Sequence, residues 1–196
     1  KHLLKLEGMP SAAMEEILAS TEVIKAKRGG GEAKPLDGQT WAMIFTKSST
    51  RTRVSFEVGI RELGGSVMFL NANDMQLGRG EPIKDTARVL GRMVHGAVIR
   101  TFAQADVEEF AEYSGIPTIN ALTDDEHPCQ ILTDIFTFQE RRGPIRGKVV
   151  TYVGDGGCNV PVSWVHAASA LDFELRIATP SEFQPSAETL AKAGGN

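Results

Sequence analysis

Apolar residues along this chain recur with two alternating periods, as short continuous runs and as longer stretches at helical spacing. The runs TWAMIF (Thr40 to Phe45) and AVIRTF (Ala97 to Phe102) have the length and apolar content of buried strands. Helical spacing from Ser11 to Lys27 predicts an amphipathic helix, with Ser11 as its N-cap and the glycines at 29–31 as its end.

The rest of the chain alternates in the same way. Further strands are predicted at Ser66 to Leu70, Pro117 to Ala121, Val149 to Gly154 and Glu174 to Pro180. Further helices are predicted at Val54 to Leu63, Pro82 to Val94, Ala105 to Ser114, Pro128 to Arg141, Val160 to Leu171 and from Ser186 onward. Strands that alternate with helices form parallel sheets with helical crossovers, so the predicted fold class is α/β.

A basic segment rich in glycine and proline, Arg141 to Lys148, interrupts this alternation and is typical of a domain boundary. We therefore expect a parallel-sheet domain at residues 1–142 and the first part of a second, Rossmann-like α/β domain at residues 147–196. The second part holds about two strand–helix repeats, too few for a complete doubly wound domain. We expect its truncated sheet to expose apolar faces.

Composition limits the classes of protein that need to be considered. The 196 residues are 41% hydrophobic, which is enough for a sizeable core. Their net charge of −4 argues against a general nucleic-acid binder, which would normally be basic. No apolar run approaches the ~18 residues that a membrane helix needs. Cys129 and Cys158 lack the spacing of a disulfide framework or a metal site. We expect a soluble cytoplasmic protein with neither a nucleic-acid nor a membrane partner.

One stretch, FTKSSTRTRVSFE (Phe45 to Glu57), concentrates positive charge and hydroxyl groups in this acidic chain. It joins a predicted strand to a helix that we expect to start near Thr50 to Arg53, where unpaired N–H groups and the helix dipole favour an anion. The hydroxyls of Ser49, Thr50 and Thr52 add hydrogen-bond donors, and Arg51 offers a bidentate fork for phosphate oxygens. The pattern predicts a small-anion site. The alternative is that Ser49 is only an N-cap and the arginines only a solvated surface.

Two further positions carry polar groups where the elements meet. Arg100 closes the strand AVIRTF, either as an anion ligand or in an ordinary salt bridge at the sheet edge. His127 and Gln130 lie about one turn apart at the start of a predicted helix. There the histidine is either a cap or, together with Gln130, a ligand for a carbonyl oxygen and an amide.

Together these motifs resemble the carbamoyl-phosphate site of the aspartate/ornithine carbamoyltransferase family: Ser-Thr-Arg-Thr-Arg at 49–53, then Arg100, then His-Pro-Cys-Gln at 127–130. The run QLGRGEPIKDT (Gln76 to Thr86) and the cysteine of His-Pro-Cys-Gln resemble the ornithine branch. The segment from Gly154 to Trp164 resembles the family's Gly-Asp-x-x-Asn-Asn-x-x-x-Ser motif, although Cys158 replaces one asparagine. We interpret Cys158 as a small-residue substitution and not as a nucleophile.

The resemblance implies an activity. The carbamoyl group of carbamoyl phosphate would be transferred to the δ-amine of L-ornithine, giving L-citrulline and phosphate, as part of arginine and ornithine metabolism. It implies that no metal or organic cofactor takes part.

The resemblance also implies roles for particular residues. The phosphate would be bound by Ser49, Thr50, Arg51 and Thr52. Arg100 would bridge the phosphate and the carbonyl oxygen, which His127 would polarise together with Thr52. The catalytic residues would be Arg51, Thr52, Arg100 and His127. Gln130 would hold the carbamoyl amide and Asn159 would contact ornithine, while Gln76 would reach the active site of a neighbouring subunit in a homotrimer.

Two alternatives stay open at this point. The protein could carbamoylate another amine, such as aspartate or putrescine, because Arg79 lies roughly where the aspartate branch has a lysine. It could also be a non-catalytic module that binds carbamoyl phosphate. The later family segments that grip ornithine, including His-Cys-Leu-Pro, do not occur within these 196 residues.

Overall fold

The computed structural model describes residues 1–30, 34–71 and 80–192. The chain forms two compact units, the first made of Lys1–Leu4 and Gly29–Asp124 and the second of Lys5–Arg28 and Asp125–Asn196. The domain limits predicted from the sequence, 1–142 and 147–196, differ from these units and stay a prediction. No helix within the described ranges is long and apolar enough to cross a membrane.

Helices and strands alternate as the periodicity predicts. The helices are α1 (Ser11–Ala26), α2 (Thr50–Glu62), α3 (Ile83–Leu90), α4 (Gln104–Ser114), α5 (Pro128–Arg142), α6 (Asn159–Leu171) and α7 (Ala187–Lys192). The strands are β1 (Thr40–Phe45), β2 (Ser66–Asn71), β3 (Gly96–Arg100), β4 (Thr118–Leu122), β5 (Val149–Val153) and β6 (Glu174–Ala178). All the strand pairs are parallel, which confirms the α/β fold class.

The first unit contains a four-stranded sheet in the order β2-β1-β3-β4. On one face Ala42 and Ile44 pack with Phe110 of α4, and on the other face Met43 packs with Ile60 of α2. Because α2 and α4 cover opposite faces, the loops after β1 and β3 separate at the carboxyl ends of these two strands. A strand order that reverses in this way creates the crevice where open parallel sheets bind their ligands.

The second unit contains α1, α5, α6 and α7 together with a two-stranded sheet, β5-β6. Helix α6 is the crossover between these strands, and Trp164 packs edge-on against Phe173 with 5.8 Å between the ring centroids. Strand β5 leaves Val149 and Val153 exposed, by 50% and 77%. This agrees with the predicted exposure of apolar side chains in this part of the chain.

At two helix ends, the start of α1 and the end of α3, the prediction was wrong for a local reason. Pro10 and not Ser11 occupies the N-cap position of α1, and Ser11 is the first helical residue. Helix α2 begins at Thr50, which confirms the start predicted near Thr50 to Arg53, and Ser49 caps it. Helix α3 ends at Leu90 instead of Val94, because Gly91 forms its C-cap.

Candidate functional site

The N-terminus of α2 follows β1 directly and lies at the carboxyl edge of the first sheet. The Ser49 hydroxyl oxygen accepts a hydrogen bond from the Thr52 N–H at 3.3 Å. Ser49 is therefore the N-cap of α2, as the alternative to an anion ligand predicted. The capped first turn also places its backbone N–H groups at the positive end of the helix dipole, which favours an anion.

Lys47, the first cation of this stretch, is engaged within the protein. Its ammonium group forms an ion pair with Asp124 and lies 4.3 Å from the centroid of the Phe102 ring. Since one carboxylate and one aromatic face already balance its charge, Lys47 adds little to the attraction of an anion.

The two arginines of the stretch, Arg51 and Arg53, differ in whether other protein groups balance their charge. The guanidinium carbon of Arg53 lies 3.7 Å from the centroid of the Phe69 ring on β2, and its Nε lies 4.0 Å from Glu57. Arg53 therefore ties α2 to the sheet. Arg51 is exposed and has no ion pair among the described residues. Of the three cations, Arg51 is the one whose charge the described residues leave uncompensated.

Arg100 ends β3 next to β1. Phe45 is its partner in the register of the two strands, and the Thr46 N–H donates to the Arg100 carbonyl at 2.9 Å. The register with β4 shifts between Ile99 and Arg100, an irregularity that often redirects a side chain near an active site.

The guanidinium of Arg100 is in an unfavourable environment. Burial lowers its pKa from the usual arginine value. Its Nε is buried without a hydrogen-bond partner, and no ion pair to it exists, in the part of the chain that the structure describes. The salt bridge considered as the alternative is therefore not observed there. A partly buried cation with an unsatisfied buried donor costs free energy unless an anion binds it.

In the second unit, His127 occupies the N-cap position of α5 and Pro128 follows at the first helical position, as predicted. The Gln130 N–H donates to the His127 carbonyl at 3.2 Å, which places both residues on the first turn. Gln130 is exposed, and its side chain bonds to Asp134 one turn later. Burial raises the pKa of the Asp134 carboxyl, and this hydrogen bond opposes the shift.

Asn159 is the first residue of α6, and a glycine-rich loop leads the chain to it. Gly154 has a φ of 150°, which side-chain-bearing residues rarely adopt, and a Cβ on Gly156 would lie 2.9 Å from the Phe183 carbonyl oxygen. Asn159 and His127 are joined through Ser163. The Ser163 hydroxyl accepts the His127 N–H at 2.8 Å and donates to the Asn159 carbonyl at 2.8 Å.

A buried polar cluster next to His127 was not predicted. Glu126, only 3% exposed, accepts the N–H groups of Leu6 at 2.6 Å and Glu7 at 3.1 Å. His166 Nε2 lies 3.9 Å from Glu126 Oε1, and burial raises the pKa of the carboxyl and lowers that of the imidazole. The available signal was the spacing of polar residues 159, 163 and 166, which places them along one face of an otherwise apolar helix.

The thiol of Cys129, within the His-Pro-Cys-Gln motif, is chemically quiet. Burial raises its pKa to about 12. At pH 8.5 we expect iodoacetamide to alkylate Cys129 at least ~100-fold more slowly than a small-molecule thiol, because the thiolate is the reacting form. Mass spectrometry of the Cys129 peptide over time gives the rate. Denatured protein is the control, and equal rates in folded and denatured protein would contradict the prediction.

The predicted site residues thus form two groups. Residues 49–52 and Arg100 lie in the first unit, and His127, Gln130 and Asn159 lie in the second. Gln76 and Arg79 lie outside the described residues. Within the described ranges, no cluster of histidine, cysteine, aspartate or glutamate residues could hold a metal ion.

Comparison with known proteins identifies the family of the chain. The profile described as "Aspartate/ornithine carbamoyltransferase, carbamoyl-P binding domain" matches residues 1–140. The chain belongs to the aspartate/ornithine carbamoyltransferase family. The match contains the α2 start, Arg100, His127 and Gln130, whereas Asn159 follows it.

Individual members of the carbamoyltransferase family are also similar. The ornithine carbamoyltransferase of Akkermansia muciniphila is 59% identical over 186 residues, which cover 94% of this chain and 61% of that protein. That of Methylococcus capsulatus is 50% identical, over 99% of this chain and 64% of the relative. The solved ornithine carbamoyltransferase from Pyrococcus furiosus superposes with a TM-score of 0.94 at 42% identity, covering all of this chain and 65% of that one. The chain therefore spans less than two thirds of the length of these relatives.

Proposed function

We propose that the complete protein transfers the carbamoyl group of carbamoyl phosphate to the δ-amine of L-ornithine, giving L-citrulline and phosphate. The observation that carries this proposal is Arg100, a partly buried cation whose buried Nε has no hydrogen-bond partner among the described residues, at the strand end beside the N-terminus of α2. Membership of the carbamoyltransferase family supports carbamoyl phosphate as the anion. The names of the similar relatives favour ornithine over aspartate or putrescine as the acceptor.

The phosphate end of carbamoyl phosphate would bind at the start of α2. Its dianionic charge suits the helix dipole, the backbone N–H groups and the uncompensated guanidinium of Arg51. Hydroxyl groups of Ser49, Thr50 and Thr52 would complete the set of donors. The Ser49 oxygen would keep its capping bond to Thr52 N–H while its hydroxyl hydrogen pointed to the ligand.

The carbamoyl end would be polarised by Arg100, Thr52 and His127. The uncharged δ-amine of ornithine would attack the carbonyl carbon, giving a tetrahedral intermediate whose oxyanion these donors stabilise. The bond from the carbonyl carbon to the phosphate oxygen would then break, and phosphate would leave with the bonding electron pair and take up the proton that the attacking nitrogen loses. Gln130 would hold the carbamoyl amide, and Asn159 would contact the amino acid. No step of this mechanism uses a metal or an organic cofactor.

The assembly and the setting of the reaction are proposed on the same basis. We propose a homotrimer in which Gln76 reaches the neighbouring subunit's site, and a cytoplasmic location within arginine and ornithine metabolism. Neither Cys129 nor Cys158 is in a disulfide, which supports a reducing compartment.

The test is product formation by the complete protein. With carbamoyl phosphate present, we expect citrulline from ornithine at least ~100-fold faster than carbamoylation of putrescine or aspartate, since a site that pairs the polar groups of one amine leaves them unpaired with another. A colorimetric citrulline assay and mass spectrometry of the products measure these rates. Faster carbamoylation of either other amine would reassign the acceptor. Binding of carbamoyl phosphate without any turnover would indicate the non-catalytic module instead.

A further inference from the structure

Helix α6 carries polar side chains where its surroundings are apolar. Ser163 is completely buried and His166 is 7% exposed, while Val165, Ala167 and Leu171 of the same helix are buried apolar residues. A buried hydroxyl is unfavourable unless both its donor and its acceptor capacity are satisfied. The bonds that Ser163 makes therefore indicate why the position is polar.

Ser163 is a one-atom bridge between two elements of the second unit. Its hydroxyl donates to the Asn159 carbonyl within α6 and accepts the N–H of His127 at the start of α5, both at 2.8 Å. These are short and favourable distances for such bonds. The bridge thus connects the main chain of the first residue of α6 to the main chain of His127.

Elsewhere in the chain the same local bond occurs without such a bridge. The hydroxyls of Thr21 and Thr137 also donate to the carbonyl four residues earlier, at 2.7 and 2.8 Å, and both side chains are exposed. Hydroxyl groups commonly make this bond in helices, and it has no consequence beyond the helix itself. What distinguishes Ser163 is its burial and the bond that it accepts across 36 residues of sequence.

The residue before His127 also contacts α6. Glu126 accepts two backbone N–H groups from Leu6 and Glu7, and His166, one turn after Ser163, lies 3.9 Å from its carboxylate. Residues 126 and 127 thus contact α6 at two successive turns. This constrains the direction in which the His127 side chain leaves the backbone.

We propose that Ser163 is a positioning residue for the transferase reaction: it holds the His127 main chain against the start of α6 so that the imidazole and Asn159 keep one relative geometry. The inference rests on the proposed function, in which His127 polarises the carbonyl and Asn159 contacts the attacking amino acid. Reactions that depend on such alignment lose about 100-fold in rate for a displacement of about 1 Å. Ser163 touches neither substrate, so its effect passes through His127.

The test is a double-mutant cycle in the complete protein, with Ser163→Ala, His127→Gln and the combination of both. We expect Ser163→Ala to lower kcat about 10- to 100-fold in the wild-type background and less than about 3-fold in the His127→Gln background. Its effect on thermal stability should be the same in both backgrounds. Affinity for inorganic phosphate should change less than about 2-fold, because the phosphate-binding residues belong to the first unit. Ser114→Ala, at another buried serine, is the matched control and should leave kcat unchanged.

A second measurement tests the Ser163–His127 hydrogen bond without relying on turnover. Hydrogen exchange of the His127 amide, followed by NMR, should be at least ~10-fold faster in Ser163→Ala than in wild type, because the amide loses its acceptor. An unchanged exchange rate, or an equal loss of kcat in both backgrounds, would overturn the inference. Absence of citrulline formation by the wild-type protein would overturn the proposed function instead, and the exchange rate would still show whether Ser163 holds His127.

Discussion

Arg100→Gln is expected to lower the affinity for carbamoyl phosphate about 100-fold and the rate of citrulline formation about 1,000-fold, without lowering stability. The loss has the size expected when a charged donor is removed from an anion and from a developing oxyanion. Stability should not fall, because the guanidinium is partly buried and its buried Nε is unsatisfied among the described residues. Removing such a group relieves a desolvation cost. Calorimetry with carbamoyl phosphate, initial rates and thermal melts measure the three quantities.

Arg61→Gln is the matched control for this experiment. Arg61 lies in the last turn of α2, is exposed, and pairs with Glu57 at 2.9 Å. Exposed pairs of this kind contribute little, so all three quantities should stay close to wild type. If Arg100→Gln bound carbamoyl phosphate as tightly as Arg61→Gln does, Arg100 would not be a ligand. If it melted well below wild type, its guanidinium would have a structural partner.

Gly91→Ala is expected to destabilise the first unit by about 3 kcal/mol or more. Gly91 caps α3 with φ −60° and ψ −14°, so its backbone conformation suits any residue. The constraint is a close approach, since a Cβ would lie 2.1 Å from the carbonyl oxygen of Ser114 at the end of α4. Because that atom belongs to the backbone, the clash is relieved only by moving one helix. In a thermal melt we expect a decrease of roughly 6–12 °C.

Gly59→Ala is a control that makes the same chemical change. Gly59 lies inside α2 and a Cβ there would meet nothing within 4 Å. Alanine is the better helix former by about 0.8–1.0 kcal/mol, so this variant should melt slightly above wild type. A Gly91→Ala protein that melted as high as Gly59→Ala would show that α3 and α4 do not pack as closely as described.

The sequence alone was sufficient to predict the order of the helices and strands, and it indicates where the proposed anion site lies. Buried runs separated by helical stretches predict an α/β fold because periodicity is a local property of the chain. The start of α2 was recognisable because its hydroxyl groups and cations follow a strand directly. Where prediction of element ends failed, as at Ser11 and Gly91, a neighbouring residue decided the outcome. At such ends small differences in local free energy compete, and sequence spacing does not resolve them.

Only the tertiary structure decided which charged groups remain available for a ligand. Lys47, Arg51 and Arg53 lie close together in the sequence, but Asp124, 77 residues from Lys47, and Phe69 on the neighbouring strand engage two of them. The partial burial of Arg100 likewise depends on segments far apart in sequence. The Ser163–His127 hydrogen bond joins two residues that are 36 positions apart. Local patterns specify helices, strands and caps because those depend on adjacent residues. The charge and orientation of a site residue depend on packing between distant segments, which exists only once the chain has folded.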